Sequence, residues 1–149
     1  MRSATTTLQL NPTCRLDVID ITEDLERAVK DSGVTEGCAV AFCTHTTATL
    51  VLGEYEDGLL DDFRKRLTEL APPGVYYAHD DLTRRTQNIG DWEEPINGHS
   101  HIAHMLMGGA SHTIPVGAGK PLLGRWQRLL MIELDGARQR ELILHVFGF

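Results

Sequence analysis

Polar and apolar residues alternate over Thr5–Leu10 and again over Cys14–Ile19, and the Asn11-Pro12 break predicts two early strands joined by a turn. Ile21, Leu25, Ala28 and Val29 then recur at helical spacing. Thr22 is the expected N-cap, Glu23 and Asp24 sit where the helix dipole favours acids, and Gly33 supplies the stop. Gly37–Cys43 and Thr46–Leu52 are rich in Val, Thr, Phe and Leu around the polar break Thr44-His45-Thr46, which predicts two neighbouring buried strands. From Asp57 to Leu70 a second helix is expected: Leu59, Leu60, Phe63, Leu67 and Leu70 mark its dry side. Pro72-Pro73-Gly74 ends it.

Val75–Ala78 reads as a short strand, Asp80–Ile96 as a polar loop of the length that carries function in compact domains, and a third helix begins at Asn97. The last third predicts strands over Thr113–Val116, Leu129–Leu134 and Leu142–Phe147, with a Gly117-Ala118-Gly119 turn and a hairpin at Asp135-Gly136. Many strands, two or three helices and no regular βαβ alternation indicate a single α+β domain, a mostly antiparallel β-sandwich. No GxGxxG or GxxxxGK[ST] occurs, so the standard phosphate loops of nucleotide-binding folds are absent.

Composition narrows the partners. The 149 residues, 42% hydrophobic and 23% charged, suit one domain with its own core, and a net charge of −7 without a basic run argues against nucleic acid. An anionic ligand therefore needs a local basic pocket. No stretch approaches the roughly 18 apolar residues of a membrane span and no apolar leader is present, so no membrane partner and a cytoplasmic location are expected. Cys14, Cys38 and Cys43 form no CxxC pair and read as reduced, mostly buried thiols.

The densest chemistry lies in Asn97-Gly98-His99-Ser100-His101-Ile102-Ala103-His104. On a helix Asn97, His101 and His104 share a face; in an extended segment His99 and His101 would. Imidazole is the commonest side-chain ligand of zinc, and a catalytic site uses three protein ligands with one position open. His45 interrupts an apolar strand pair and His79 ends a strand entering the polar loop, with Asp80 and Asp81 as candidates to orient it. Glu54 and Asp57 lie near a helix N-terminus, Glu133 faces inward with Leu129 and Met131, and Arg84, Arg85, Arg125, Arg128 and Arg138 are the available cations. No nucleophilic triad emerges.

Thr44-His45-Thr46-Thr47-Ala48, the Glu54–Asp57 pair, Tyr77-Ala78-His79-Asp80-Asp81, Arg85-Thr86-Gln87-Asn88, Asn97-Gly98-His99-Ser100-His101 and Gly124-Arg125-Trp126-Gln127 leading to Glu133-Leu134-Asp135 occur in that order. Together they resemble the YjbQ-like family, named secondary thiamine-phosphate synthases. The resemblance implies an α+β sandwich assembled as a homotrimer, with Trp126, Phe147 and the last strand as candidate contacts. It also implies a site near subunit boundaries that joins a pyrimidine methyl pyrophosphate to a thiazole phosphate and releases pyrophosphate. On this reading His45, Glu54, Asp57 and Glu133 are the catalytic candidates. Arg85, Asn97, Arg125, Gln127 and Arg138 would bind a phosphorylated small molecule, and His45, His79 and His101 would converge on a divalent metal, zinc or magnesium. Arg125 and His104 depart from the family's usual residues. Two alternatives stand beside the synthase: a non-catalytic metal- or small-ligand-binding trimer, and a metal-dependent hydrolase of a phosphorylated metabolite. Thiol titration under denaturing, non-reducing conditions is expected to find all three cysteines free; fewer would contradict the reading.

Overall fold

The two ends of the chain pair with each other. In the computed structural model, which describes residues 1–149, β1 (Arg2–Leu10) runs antiparallel to β8 (Arg140–Gly148), with Arg2 opposite Gly148 and Leu10 opposite Arg140. β8 also pairs with β3 (Glu36–Cys43), which continues through β5 (Ser111–Gly117) to the two-residue β6 (Lys120–Pro121), giving the five-stranded order β1-β8-β3-β5-β6. β2 (Val18–Asp20), β7 (Arg128–Glu133) and β4 (Ala48–Gly53) form a second antiparallel sheet in the order β2-β7-β4.

The period of two places the core. β8 buries Arg140, Leu142, Leu144 and Val146 and leaves Glu141, Ile143, His145 and Phe147 on its other face. From β7, Leu129 and Met131 join Leu142, Leu144, Ala39 and Ala41 between the sheets, with Leu25, Ala28 and Val29 of α1 (Thr22–Ser32) closing that core. Leu130 and Ile132 face the other way, onto Leu60 and Leu67 of α2 (Asp57–Leu70) and Ala103 of α3 (Gly98–Met107). The smaller sheet is therefore covered on both faces, which is why β7 reads as a continuous apolar run rather than an alternation. The larger sheet is covered on one. Its outer face carries the register pairs Phe42–Ile143 and Cys38–Phe147, and Phe42 and Phe147 are exposed.

Several predicted elements differ. The early pair is not a hairpin: Cys14–Ile19 contributes only β2, which lies in the smaller sheet beside β7, while β1 pairs with the chain's other end. Asp135-Gly136 does not close a hairpin either, since β7 and β8 belong to different sheets and this segment crosses between them. The two runs flanking Thr44-His45-Thr46 likewise fall in different sheets. Val75–Ala78 forms no strand, and Ala78–Asp80 is a 3-10 turn. Ile21 occupies the N-cap of α1, because the Thr22 hydroxyl accepts from Leu129 N–H at 2.9 Å and ties the helix to β7. Cys14 is exposed and Cys38 half-buried; only Cys43 is buried, and none is in a disulfide.

A buried ion pair joins the two sheets inside the fold. The Arg140 guanidinium, 2% exposed, donates from Nε and Nη2 to the two carboxylate oxygens of Glu133, both at 2.6 Å, and Nη2 also reaches the Thr47 hydroxyl and carbonyl. Glu133, fully buried, accepts in addition from Asp135 N–H at 2.8 Å and Gly136 N–H at 3.2 Å. Sequence placed this acid inward but named Arg125, Arg128 and Arg138 as its cations; Arg140 is the partner. Each group satisfies the other, so removing one leaves an uncompensated buried charge. Arg140→Met is expected to lower the unfolding free energy by about 3–5 kcal/mol in urea titrations, and adding Glu133→Met to recover part of that loss. A double variant less stable than Arg140→Met would contradict this account.

Candidate functional site

The N-terminus of α3 is pinned from two sides. Asp80 Oδ1 accepts from the backbone N–H groups of Asn97, at 3.1 Å, and Gly98, at 2.9 Å, so the 3-10 turn docks onto the helix start and neutralises its positive end. Gly98 permits this approach, because a Cβ there would lie 2.6 Å from Tyr77 Cβ. From the other side Asn97 Nδ2 donates to Asp135 at 2.9 Å and the Ser100 hydroxyl to Leu134 O at 2.7 Å. These contacts bring the rings of His79 and His101 to 4.4 Å between centroids, tilted by 51°. Asp80 thus caps the helix rather than bonding the His79 ring. Asp81 holds Thr83 and Tyr76.

The polar loop after the 3-10 turn folds around one arginine. Arg85 donates from Nε to Gln87 O, from Nη1 to His79 O and from Nη2 to Asn88 O, and pairs with Glu94 at 3.2 Å. Arg85 thus braces the loop from within, its charge matched by Glu94, while its side chain also lines two adjacent recesses. A pocket of about 390 Å³ opens beside it, lined by Thr46, His79, Trp92, Asn97 and His101 among others. A neighbouring recess of about 530 Å³ shares His79, Arg85 and Asn88 and adds Arg84, Thr86 and Gln87.

His45 does not join the imidazole pair. Its Nε2 accepts from Glu141 N–H at 2.9 Å, which fixes the connection between β3 and β4 to the start of β8. His104 Nδ1 lies 2.8 Å from the Ala48 carbonyl, and His99 is buried behind the helix. No three His, Cys, Asp or Glu side chains come close enough to hold a metal ion, and Arg85 Nη1 lies 3.4 Å from His79 Nε2, where a guanidinium opposes a cation. The single chain therefore does not fit the three-histidine metal centre.

The carboxylates expected beside the histidines lie elsewhere. Glu133 is spent on Arg140. β4 begins opposite Glu133 and ends opposite Arg128, and its six residues span about 20 Å at 3.3 Å per residue, so Glu54 and Asp57 follow its far end. There Glu54 and Arg125 line a separate groove with Trp126, and the helix cap is Glu56, which accepts from Gly58 and Leu59 N–H. Gln127 closes its own turn onto Gly124 N–H, and Arg138 pairs with Asp135. Of the residues predicted to form the site, His79, His101, Asn97 and Arg85 come together. Thr46, Asn88, Trp92 and Glu94 were not predicted; an arginine inside an acidic loop was the available sign that Glu94 would matter.

Burial first, and the neighbouring His79 second, lower the proton affinity of His101 below the ordinary histidine value; burial and then Arg140 do the same for His45, and burial and then Arg15 for His99. A histidine with a depressed native pKa binds fewer protons folded than unfolded. Stability is therefore full above about pH 6.5 and falls as the pH drops through the native values. Urea unfolding at pH 7.5 and 5.5 is expected to show this loss, reduced in His101→Gln; equal loss in that variant would contradict it.

Comparison with known proteins agrees with the fold. The chain is 36% identical over 137 residues to a UPF0047 protein of Archaeoglobus fulgidus, covering 92% of this chain and 96% of the relative. It is 30% identical to the UPF0047 protein YugU of Bacillus subtilis, covering 95% and 98%. A crystal structure of a YbjQ-like protein of unknown function from Sulfolobus solfataricus superposes with a TM-score of 0.87 at 27% identity, covering 99% and 98%. A hypothetical protein from Aeropyrum pernix superposes at 0.85 and 32%, covering 98% and 99%. The family model described as UPF0047 protein YjbQ-like matches residues 6–149, and the chain belongs to that family.

Proposed function

We propose that the imidazole pocket binds a phosphorylated small molecule and that the protein is a transferase of the thiamine-phosphate synthase type. The observation that carries this reading is the contact between His79 and His101 at the edge of a polar pocket, with the His101 ring free of any hydrogen bond to the protein. In the reaction the thiazole nitrogen forms a bond to the pyrimidine methyl carbon while that carbon's bond to oxygen breaks, and pyrophosphate leaves with the bonding pair. Imidazole N–H groups offer hydrogen bonds to the departing oxygens, and Arg84, lining the adjoining recess and bound only to the Tyr76 hydroxyl, offers charge. Trp92, exposed and lining the pocket, supplies an aromatic ring on which a heteroaromatic substrate could stack. Positioning and charge stabilisation then carry the catalysis.

On the same reading the chain works as a homotrimer. The uncovered face of the five-stranded sheet supports it: Val40, Phe42, Ile143 and Phe147 lie there with no helix over them. Light scattering is expected to return about three times 16.6 kDa at micromolar concentration, and a monomer mass would overturn this part.

The activity is tested by pyrophosphate release from the two phosphorylated substrates. His101→Ala is expected to reduce turnover about 100-fold, the lower range for lost proton or hydrogen-bond assistance, with an unchanged melting temperature at pH 7.5. Wild-type release no faster than the uncatalysed background would overturn the synthase reading, and an unaffected His101→Ala would remove the imidazole pair from it.

A further inference from the structure

Between α2 and the smaller sheet lies an apolar cavity of about 160 Å³, walled by Val51 of β4, Leu59, Leu60 and Phe63 of α2, Leu130 of β7 and Met107 of α3. A cavity of about 150 Å³ lined by such side chains takes up benzene, so this one has room for a branched aliphatic or aromatic group. Its single charged wall residue is Glu54, the residue that follows β4. Glu54 also lines a second, polar groove of about 510 Å³ together with Tyr55, Arg125 and Trp126. The two recesses therefore meet at one carboxylate.

The charges of the polar groove divide into used and unused. Arg128 pairs with Asp20 at 2.6 Å, and Glu56 caps α2 through Gly58 and Leu59 N–H. Glu54 and Arg125 form no ion pair with any residue, including each other, although both line the groove. The Arg125 guanidinium instead lies 5.9 Å from the centre of the Trp126 ring, a cation–π contact that settles it against the groove wall. A single exposed charge is ordinarily just solvated. Here a carboxylate and a guanidinium too far apart to pair share one groove, and an apolar cavity adjoins the carboxylate. The arrangement asks for a cation, an anion and an apolar group on one small molecule.

We propose that these two recesses form a binding site for a free α-amino acid with an apolar side chain. The side chain enters the cavity, the ammonium group donates to the Glu54 carboxylate, and the amino-acid carboxylate accepts from the Arg125 guanidinium. Neither an amine nor an acid alone matches both charges, and a chain of net charge −7 disfavours the acid further. The site lies beyond the far end of β4 from the His79–His101 pocket and off the uncovered face of the larger sheet. It does not depend on the activity assigned to that pocket.

Calorimetric titration of the full chain with L-leucine, L-methionine and L-phenylalanine tests this, with glycine, 3-methylbutylamine and 4-methylpentanoate as truncated probes. Saturable binding of one molecule per chain is expected for at least one of the three amino acids. Glycine should bind about 10–100-fold more weakly, the factor that burying one such side chain contributes, and the amine and the acid at least about tenfold more weakly, each having lost one charged contact. Glu54→Gln and Arg125→Gln, both at exposed positions, should each weaken the amino acid about tenfold or more, while His101→Ala binds it like the wild type. Gly53 also lines the cavity, and a Cβ there stands in ordinary contact, 3.5 Å from Val51 Cγ1. Gly53→Val, shown to be folded by its melting curve, should therefore narrow the cavity and weaken the larger side chains relative to glycine. No saturable binding of any of the three amino acids overturns the proposal. So does 3-methylbutylamine or 4-methylpentanoate binding as tightly as leucine, or a Glu54→Gln or Arg125→Gln protein that binds like the wild type.

Discussion

The bidentate contact between Glu133 and Arg140 is the constraint on which the site depends. It sits where the smaller sheet hands the chain to the larger one, and its carboxylate also accepts from Asp135 and Gly136, setting the path of that crossing. Asp135 then holds Asn97, and the neighbouring Leu134 carbonyl holds Ser100. Through these two contacts a buried ion pair in the sandwich fixes the first turn of α3, and hence His101. A buried pair of this kind contributes little net stability over an apolar replacement. Its effect here is geometric.

The second support comes from the loop. Asp80 caps α3 and Arg85 draws the carbonyls of residues 79, 87 and 88 around itself while Glu94 matches its charge. The two residues share the work of presenting His79: one docks its turn on the helix, the other keeps the loop folded over it. The pocket is thus assembled from three separate lengths of chain, with two imidazoles at its centre and its principal guanidinium already paired. An anionic ligand would meet hydrogen-bond donors there more than uncompensated charge.

Much of the fold was legible. The helices over Leu25–Val29 and Leu59–Leu70 and the final strand followed from periodicity, because an amphipathic face shows directly in the spacing of apolar residues. Sheet membership was not. Local turn signals such as Asn11-Pro12 and Asp135-Gly136 suggested hairpins, but β-pairing is decided by which faces must be buried, and these turns pass between sheets. For the site, His79, His101 and Asn97 were found through their clustering and the family resemblance, whereas His45, Glu54 and Arg125 were grouped with them although one chain holds them apart. Arg140 is legible in the sequence as well: it shares the inward register of Leu142, Leu144 and Val146, and an inward cation needs the inward acid Glu133.

The central claim, that the buried pair positions the imidazoles, is tested most directly by imidazole NMR of His79 and His101 against pH, in the wild type and in a folded Glu133→Gln protein. The wild-type His101 midpoint should lie below the ordinary histidine value, owing to its burial and the adjacent His79, and Glu133→Gln should move it back toward that value as the rings part. A His101 midpoint that stays the same in both proteins would contradict the account.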